Sequence, residues 1–278
     1  MHKILFRIIS IFIILSFYGC SVDQYAIEKE YWRIQKGAEA IFKNPYATPP
    51  FEFQRIVKSL DEFSNKYPDN SLSVDAKFKI ARLYLLKKQY AEARSRIEQV
   101  MDFYQDSEAV QSQALFLIGS SYELEEEWGL ALKQYRRIIK EYPLTIKGFD
   151  MPLYIAHHYK LKQQPQKMIS EYNNAIRHYT VLAEEYQDSA LGFRAYDLVA
   201  RCYIALGQWD KAIESFNKII DIFKGEEGLD SVYLNIALIY RDKLKDIPRA
   251  KAVLKGMIRD YPKSKLKKTA SKIIKEME

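Results

Sequence analysis

Apolar residues recur at helical spacing along most of the chain, in paired segments separated by short polar breaks. The clearest pair lies in residues 195–223, where a Leu-Gly-Gln break at residues 206–208 separates two apolar patterns. The first pattern consists of Leu198, Val199, Cys202 and Tyr203, and the second of Ala212, Ile213, Phe216, Ile219 and Ile220. Each pattern returns every three or four residues, as one face of an α-helix does. The pair therefore predicts two amphipathic helices that fold back on each other through a glycine-containing turn.

Three marks of this pair recur along the chain. In the first helix a small residue is followed three positions later by tyrosine, at Ala81/Tyr84, Gly119/Tyr122, Ala156/Tyr159, Ala200/Tyr203 and Ala237/Tyr240. The second helix has an alanine, at Ala93, Ala131, Ala175, Ala212 and Ala250, and eleven residues later an aromatic residue, at Tyr104, Tyr142, Tyr186, Phe223 and Tyr261. Proline follows two of these tyrosines and is typical of a helix end. Because small residues let helices approach closely, the marks predict a series of antiparallel hairpins.

The repeat predicts an all-α fold with about six hairpins across residues 31–278. The first hairpin, residues 31–67, is divergent, and residues 263–278 predict a capping helix, since the ends of a repeat stack differ from its middle. In the fourth hairpin, Ala156 and Ala175 are seven residues further apart than Ala81 and Ala93 in the second. This insertion predicts either two additional helical turns or a longer loop, at a binding face or at a tolerant surface.

The marks resemble the tetratricopeptide repeat (TPR), with Ala200, Tyr203, Gly207 and Ala212 at motif positions, although the usual period is about 34 residues. The resemblance implies a right-handed superhelix of antiparallel helix hairpins. It also implies a groove, lined by the first helices, that binds an extended peptide or a helix of a protein partner. The candidate groove residues are Asp75, Phe78, Arg82, Phe116, Ser120, Glu123, Arg194, Asp197, Arg201 and Arg241.

The first twenty residues have the pattern of a bacterial export signal. A basic start with Lys3 and Arg7 precedes apolar residues 8–18, a run shorter than a membrane-spanning helix needs. The following Gly19-Cys20 resembles the lipobox of bacterial lipoproteins. This resemblance implies a signal peptide of residues 1–19, acylation (including palmitate) of Cys20, and a tether over residues 20–30. Ser21 implies, by the usual sorting rule, anchoring in the outer membrane facing the periplasm; an uncleaved N-terminal anchor is the alternative.

The formal net charge of +7 is concentrated near the C-terminus. Residues 243–278 contain 12 Lys/Arg and 4 Asp/Glu. This basic end predicts either a contact with an acidic partner or phospholipid headgroups, or simply a solvated face of the last helices. An exported protein is not expected to bind nucleic acid.

No sequence motif predicts catalysis. His157 and His158 are adjacent and project about 100° apart on a helix, and His178 in the facing helix has no accompanying ligand cluster. Cys202 is predicted to be a small buried packing residue. We therefore predict no catalytic residue, no metal site, no cofactor and no enzymatic activity, and an envelope enzyme is a third possibility only.

A lipobox, a short tether and TPR-like hairpins with Tyr-Pro ends together resemble the BamD/YfiO-type family of outer-membrane lipoproteins. That family holds other components of the β-barrel assembly machinery on the periplasmic side. The resemblance implies a scaffold for outer-membrane protein assembly. The alternative is a scaffold of the same fold with another partner, either a Tol-Pal or cell-division lipoprotein of the YbgF kind, or a pilus or secretion-system lipoprotein of the pilotin kind.

Overall fold

A computed structural model describes residues 24–278, and every regular element in this range is an α-helix. The helices are α1 (residues 24–43), α2 (Pro50–Lys66), α3 (Ser71–Leu86), α4 (Tyr90–Phe103), α5 (Glu108–Leu124), α6 (Trp128–Glu141), α7 (Ile146–Leu161), α8 (Pro165–Glu185), α9 (Ala190–Ala205), α10 (Trp209–Ile222), α11 (Leu229–Asp242), α12 (Ile247–Asp260) and α13 (Lys267–Glu276). Between Phe149 and Asp150, within α7, the chain divides into an N-terminal unit 1 and a C-terminal unit 2. The prediction of an all-α fold is confirmed.

Consecutive helices pack on each other within each unit, from α2 to α6 in unit 1 and from α8 to α13 in unit 2. All ten small-residue marks in the two series are buried. The third hairpin shows why. A Cβ added to Gly119 in α5 would lie 2.4 Å from the Cε1 atom of Tyr135 in α6, a tyrosine with no exposed surface. The prediction that small residues permit close approach of paired helices is therefore confirmed.

The turns between paired helices share one backbone geometry. In five of them one residue is left-handed, with φ between 53° and 71°, at Lys88, Glu126, Gln163, Gly207 and Lys245. The next N–H group then donates to the carbonyl oxygen of the marker tyrosine, as Gln89 does to Tyr84 and Gln208 to Tyr203, both at 2.9 Å. This arrangement ends a helix while giving one of its last carbonyl groups a partner. It fixes the distance from the marker tyrosine to the left-handed residue, which is four residues in the first four of these hairpins and five in the last.

The aromatic marks end their helices, as predicted. The C-terminal caps are Tyr67, Tyr104, Tyr142, Tyr186, Phe223 and Tyr261. Three residues after each tyrosine a polar residue donates its N–H to the tyrosine carbonyl oxygen at 3.0–3.2 Å, at Asn70, Ser107, Thr145, Ser189 and Ser264. In the first four of these polar residues, the side-chain oxygen also accepts a hydrogen bond from a backbone N–H group in the first turn of the next helix. One short motif therefore ends one helix and begins the next.

The insertion in the fourth hairpin lengthens a helix and not a loop. Helix α8 has 21 residues, whereas α4, α6, α10 and α12 each have 14. The first buried residue of α8 is Tyr172, so residues 165–171 form a solvent-facing extension of about two turns. The sequence predicted either two additional helical turns or a longer loop, and the structure has the additional turns.

The fold begins earlier than the sequence predicted. Residues 24–30, assigned to a tether, belong to α1, in which Ile27 packs against the core of unit 1. Glu30 accepts hydrogen bonds from the Lys66 ammonium and the Tyr67 hydroxyl, each at 2.9 Å. The tether is therefore corrected for residues 24–30, because these contacts fix them to α2. The predicted signal peptide of residues 1–19 and the acylated Cys20 lie outside the described residues.

The divergent first hairpin contains the repeat marks in altered form. Gly37 is the small residue of α1, and Ile56, eleven residues before Tyr67, occupies the alanine position of α2. A Cβ on Gly37 would lie 2.4 Å from the Cδ1 atom of Ile56. The glycine therefore makes room for a larger partner, so that the hairpin closes as the others do.

Helix α13 lies where the capping helix was predicted. It covers the end of unit 2 with Ala270, which clusters with Ala237 of α11 and with Leu254 and Met257 of α12. Among residues 24–278, no helix is both long enough and apolar enough to cross a membrane.

Candidate partner-binding surfaces

Asp75 of α3 is the centre of a polar network that joins α1 to α3 in unit 1. Its carboxylate accepts a hydrogen bond from the Tyr31 hydroxyl and lies 3.3 Å from Nζ of Lys79 and 4.0 Å from Nη1 of Arg82. Lys79 is 8% exposed, and its Nζ lies 5.1 Å from the centre of the Tyr31 ring. Burial, followed by the hydrogen bond to Asp75, raises the pKa of the Tyr31 hydroxyl. Asp75 therefore links α1 to α3, but 46% of its side chain is exposed, so its predicted groove role stays a prediction.

Phe78, another candidate on α3, is a core residue. Its side chain is 5% exposed and belongs to the hydrophobic core of unit 1. The helical pattern predicted one open face, but α3 is buried around most of its circumference, because α2, α4 and α5 all pack against it. The prediction that Phe78 lines an open groove is wrong for this reason. Arg82 keeps 40% of its side chain exposed.

The candidates on α5 also make contacts within unit 1. The ring of Phe116 lies 3.9 Å from Nζ of Lys147, at the start of α7, and 6.0 Å from the ring of Tyr135. Glu123 accepts a hydrogen bond of 2.9 Å from the Tyr135 hydroxyl. Ser120 donates to the carbonyl oxygen of Phe116 at 2.9 Å, within the helix. These side chains are only partly exposed, and Phe116 and Glu123 contact neighbouring helices whereas Ser120 bonds within α5.

The two arginine candidates on α9 in unit 2 are more open, whereas Asp197 keeps 21% of its side chain exposed. Nη2 of Arg194 lies 3.2 Å from Oδ1 of Asp150 in α7, and about half of each side chain is exposed. Nε of Arg201 lies 2.5 Å from Oδ2 of Asp197, with 58% of the Arg201 side chain exposed. These ion pairs are in contact with water and are weak, so a carboxylate of a partner can replace either acid at little cost.

Arg241 of α11 is held by its neighbour in sequence. It donates from Nε and Nη2 to the two carboxylate oxygens of Asp242 at 2.6 and 3.0 Å. The hydrogen bond to Asp242 raises the pKa of the arginine and lowers that of the aspartate. The pair presents both charges at the surface of unit 2.

A shared register explains two contacts that the sequence reasoning missed. Asp75 stands six residues before Ala81, and Tyr31 stands six residues before Gly37. Arg194 and Asp150 likewise stand six residues before Ala200 and Ala156. First helices of adjacent repeats therefore meet at this position, and comparison of the repeats at equal offsets reveals both pairs. The contacts of Lys79, Tyr135 and Lys147 cannot be recognised from equal positions in the repeats, because they depend on how neighbouring helices cover these side chains.

The predicted packing role of Cys202 is confirmed, since it has no exposed surface and burial raises the pKa of its thiol to about 12. No group of three potential metal-ligating side chains comes together within residues 24–278. Nε2 of His178 in α8 is buried without a hydrogen-bond partner, and burial lowers the pKa of its imidazole.

Acidification should destabilise the protein through His178. Because the folded state holds the pKa of this imidazole below its ordinary value of 6.5, the unfolded chain binds a proton more readily. The free energy of unfolding should therefore be highest above that value and should fall as the pH is lowered through it and towards the depressed folded-state pKa. Chemical denaturation between pH 7.5 and pH 5.5 measures this decline.

The variant His178→Phe keeps an aromatic ring and removes the titrating group, so its stability should vary less over the same range. The folded state also lowers the pKa values of Glu30, Asp242 and Asp260. These are carboxyl groups, and they titrate below this pH range. An equal decline in the variant would contradict the assignment to His178.

The basic C-terminal end is exposed in unit 2. Lys267, Lys268, Lys272 and Lys275 of α13, together with Ser271, line a shallow surface depression. The opposite face of α13 packs on α12. Both sequence interpretations of this end, a partner surface and a solvated face, stay predictions.

Residues 75–107, 113–145, 194–225 and 231–264 match the family model of the tetratricopeptide repeat. These four segments correspond to the hairpins α3/α4, α5/α6, α9/α10 and α11/α12. The comparison with curated proteins found no match to this sequence.

Several solved structures resemble the chain at low sequence identity. The apo form of RapI is 15% identical, with a TM-score of 0.47 over 90% of this chain and 70% of RapI. The TPR2AB domain of yeast Sti1, in complex with pHSP90, is 14% identical, with a TM-score of 0.35 over 90% of this chain and 97% of that chain. YrrB, a TPR protein with an unusual peptide-binding site, is 14% identical, with a TM-score of 0.37 over 78% and 99% of the two chains. With the four matched hairpins, this chain contains tetratricopeptide repeats in an all-α fold.

Proposed function

We propose that this protein is a membrane-anchored scaffold that binds protein partners through its tetratricopeptide repeats and catalyses no reaction itself. The repeat fold is typical of protein–protein interaction. The observation that carries the proposal is the order of features along the chain. An apolar N-terminal segment that ends at Gly19-Cys20 is followed, after three residues, by helices of the fold.

The finer assignment follows from the lipobox-like Gly19-Cys20 and Ser21. Acylation at Cys20 attaches the protein to the outer membrane, with the repeats in the periplasm. The BamD/YfiO-type resemblance supports the assembly of outer-membrane β-barrel proteins as the proposed process. Several acyl chains on one cysteine supply the stable attachment that a single chain lacks.

The binding surface is the exposed side of α9. Asp197, Arg194 and Arg201 place alternating charges along it, and the arginines present fixed arrays of N–H donors to carboxylate groups. A peptide segment or helix with complementary charges, laid along α9, exchanges the weak internal ion pairs for pairs with the partner. Phe78, which is a core residue, takes no part.

In-cell photo-crosslinking tests this proposal. A photoreactive residue at position 201 should form an adduct with a β-barrel assembly component or a nascent barrel protein, identified by mass spectrometry. The same residue at position 218, exposed on the second helix α10, is the matched control and should give little of that adduct.

An adduct with a Tol-Pal component, a peptidoglycan synthase or a secretin would keep the scaffold function and replace the proposed process. Equal adducts from positions 201 and 218, or none from position 201, would contradict the α9 surface.

A further inference from the structure

We propose that the outer face of α1 lies on the membrane surface and binds the headgroup region of a bilayer with anionic phospholipids. This aromatic-basic face consists of Tyr25, Lys29, Trp32, Lys36 and Lys43. The inference goes beyond partner binding, and it rests on the membrane attachment in the proposed function.

The aromatic-basic face is the side of α1 opposite the core. Its other members follow Tyr25 by 4, 7, 11 and 18 residues, which are close to whole numbers of helical turns. The buried side of the same helix carries Tyr31, Ala38 and Ile41. The face is therefore a straight stripe along the helix, and the packing of α1 in unit 1 leaves it open.

Large aromatic side chains on this stripe are exposed. Tyr25 is 65% exposed and Trp32 is 55% exposed. A lysine covers each ring, with Nζ of Lys36 at 3.8 Å from the Trp32 ring centre and Nζ of Lys29 at 5.9 Å from that of Tyr25. Two large aromatic rings, seven residues apart, and their lysines therefore lie together on one exposed face of a single helix.

The chemistry of the stripe fits a bilayer interface. Tryptophan and tyrosine are favoured at the headgroup level, where the ring is partly desolvated and the polar atom keeps a hydrogen-bond partner. Lysine stems pack along apolar surface while the ammonium group reaches the phosphates. The exposed acidic residues Glu28 and Glu39 flank the stripe along one edge, where Gln24 and Gln35 donate hydrogen bonds to them. Lys29, Lys36 and Lys43 place the positive charge along the stripe itself.

The position of α1 in the chain brings this stripe to a membrane. Cys20 is four residues before Gln24, the first described residue of the helix. Four residues reach at most about 14 Å when extended. If the anchor is the acylated Cys20, α1 starts within that distance of the bilayer surface, and if it is the uncleaved apolar segment of residues 8–18, six residues give a reach of at most about 20 Å. The basic face of α13 is also exposed, but no tryptophan or tyrosine occurs in that helix.

Fluorescence quenching by lipid tests the inference on the full chain, purified from membranes and reconstituted into phosphatidylethanolamine–phosphatidylglycerol vesicles. Lipids brominated near the headgroup end of the acyl chain should quench the tryptophan emission of the wild-type protein. The variant Trp32→Phe should lose most of this quenching. The matched control Trp209→Phe should retain it, although Trp209 also has a lysine over its ring.

Charge reversal separates the two basic surfaces. Lys29→Glu/Lys36→Glu should abolish most of the Trp32-dependent quenching, whereas Lys267→Glu/Lys268→Glu, with the same change of charge on α13, should leave it unchanged. If the wild-type chain sediments with vesicles but Trp32 is not quenched, the inference is wrong and the membrane attachment stands. If the chain does not associate with vesicles at all, both are wrong.

Discussion

Replacing Gly192 by alanine should destabilise unit 2 by about 3 kcal/mol, although alanine favours a helix over glycine by about 1 kcal/mol. A Cβ on this residue, near the start of α9, would lie 2.1 Å from the carbonyl oxygen of Tyr186 and 2.8 Å from that of Gln187. These are backbone atoms at the end of α8, and they cannot turn aside as a flexible side chain does. The helices must separate, which weakens the bond from the Gly192 N–H to the Ser189 hydroxyl. Chemical denaturation followed by helical circular dichroism measures the loss.

The matched control for Gly192→Ala is Gly256→Ala in α12. Apart from the adjacent residues and the backbone of its own helix, no atom lies within 4 Å of a Cβ added at Gly256, so the same change should stabilise the protein by up to about 1 kcal/mol. Opposite shifts of the two midpoints identify the contact with Tyr186 as the cause. A midpoint for Gly192→Ala equal to that of the wild type would mean that the helices are not so close.

Replacing Asp75 by alanine should lower the free energy of unfolding by about 2 kcal/mol, because the buried Lys79 ammonium loses its carboxylate. The Tyr31 hydroxyl loses its acceptor in the same step, so the link between α1 and α3 is weakened. This loss of stability is smaller than for a fully buried ion pair, because 46% of the Asp75 side chain is exposed. Denaturation curves of purified protein provide the measurement.

Asp197→Ala is the comparison for Asp75→Ala, since both acids occupy predicted groove positions on first helices. Asp197 pairs with Arg201, whose side chain is 58% exposed and can return to water, so the loss should stay within about 0.5 kcal/mol. This variant should instead alter crosslinking from position 201. If Asp75→Ala were as stable as Asp197→Ala, the links from Asp75 to Lys79 and Tyr31 would contribute no more to stability than the pair of Asp197 with Arg201.

The sequence predicted the helices and their ends well because those depend on short-range physics. The tyrosine that ends five of the second helices and the serine, threonine or asparagine three residues later act through bonds within a few residues of each other. The buried alanine marks follow from helical periodicity alone. Such features can be recognised in a single repeat and then checked in the others.

The candidate site was harder to predict because exposure depends on neighbouring helices. Phe78 and Asp75 have the spacing of groove residues, yet α2, α4, α5 and Tyr31 of α1 cover or engage them. The correct start of α1 was missed because Glu30 is fixed by Lys66 and Tyr67, which lie 36 and 37 residues away. Periodicity shows which residues share a face of a helix, and the helices packed beside it decide whether that face is exposed.

The length of the α8 extension has a consequence for how such proteins can vary. In α4 the buried alanine, Ala93, is the fourth residue of the helix, and in α8 the corresponding Ala175 is the eleventh. Seven residues rotate a helix by almost two full turns, so the preceding loop enters α8 from nearly the same direction. An insertion of five would rotate that entry by about 140°. A second helix in this fold can therefore lengthen without repacking only by a number of residues close to a whole number of helical turns, such as four or seven.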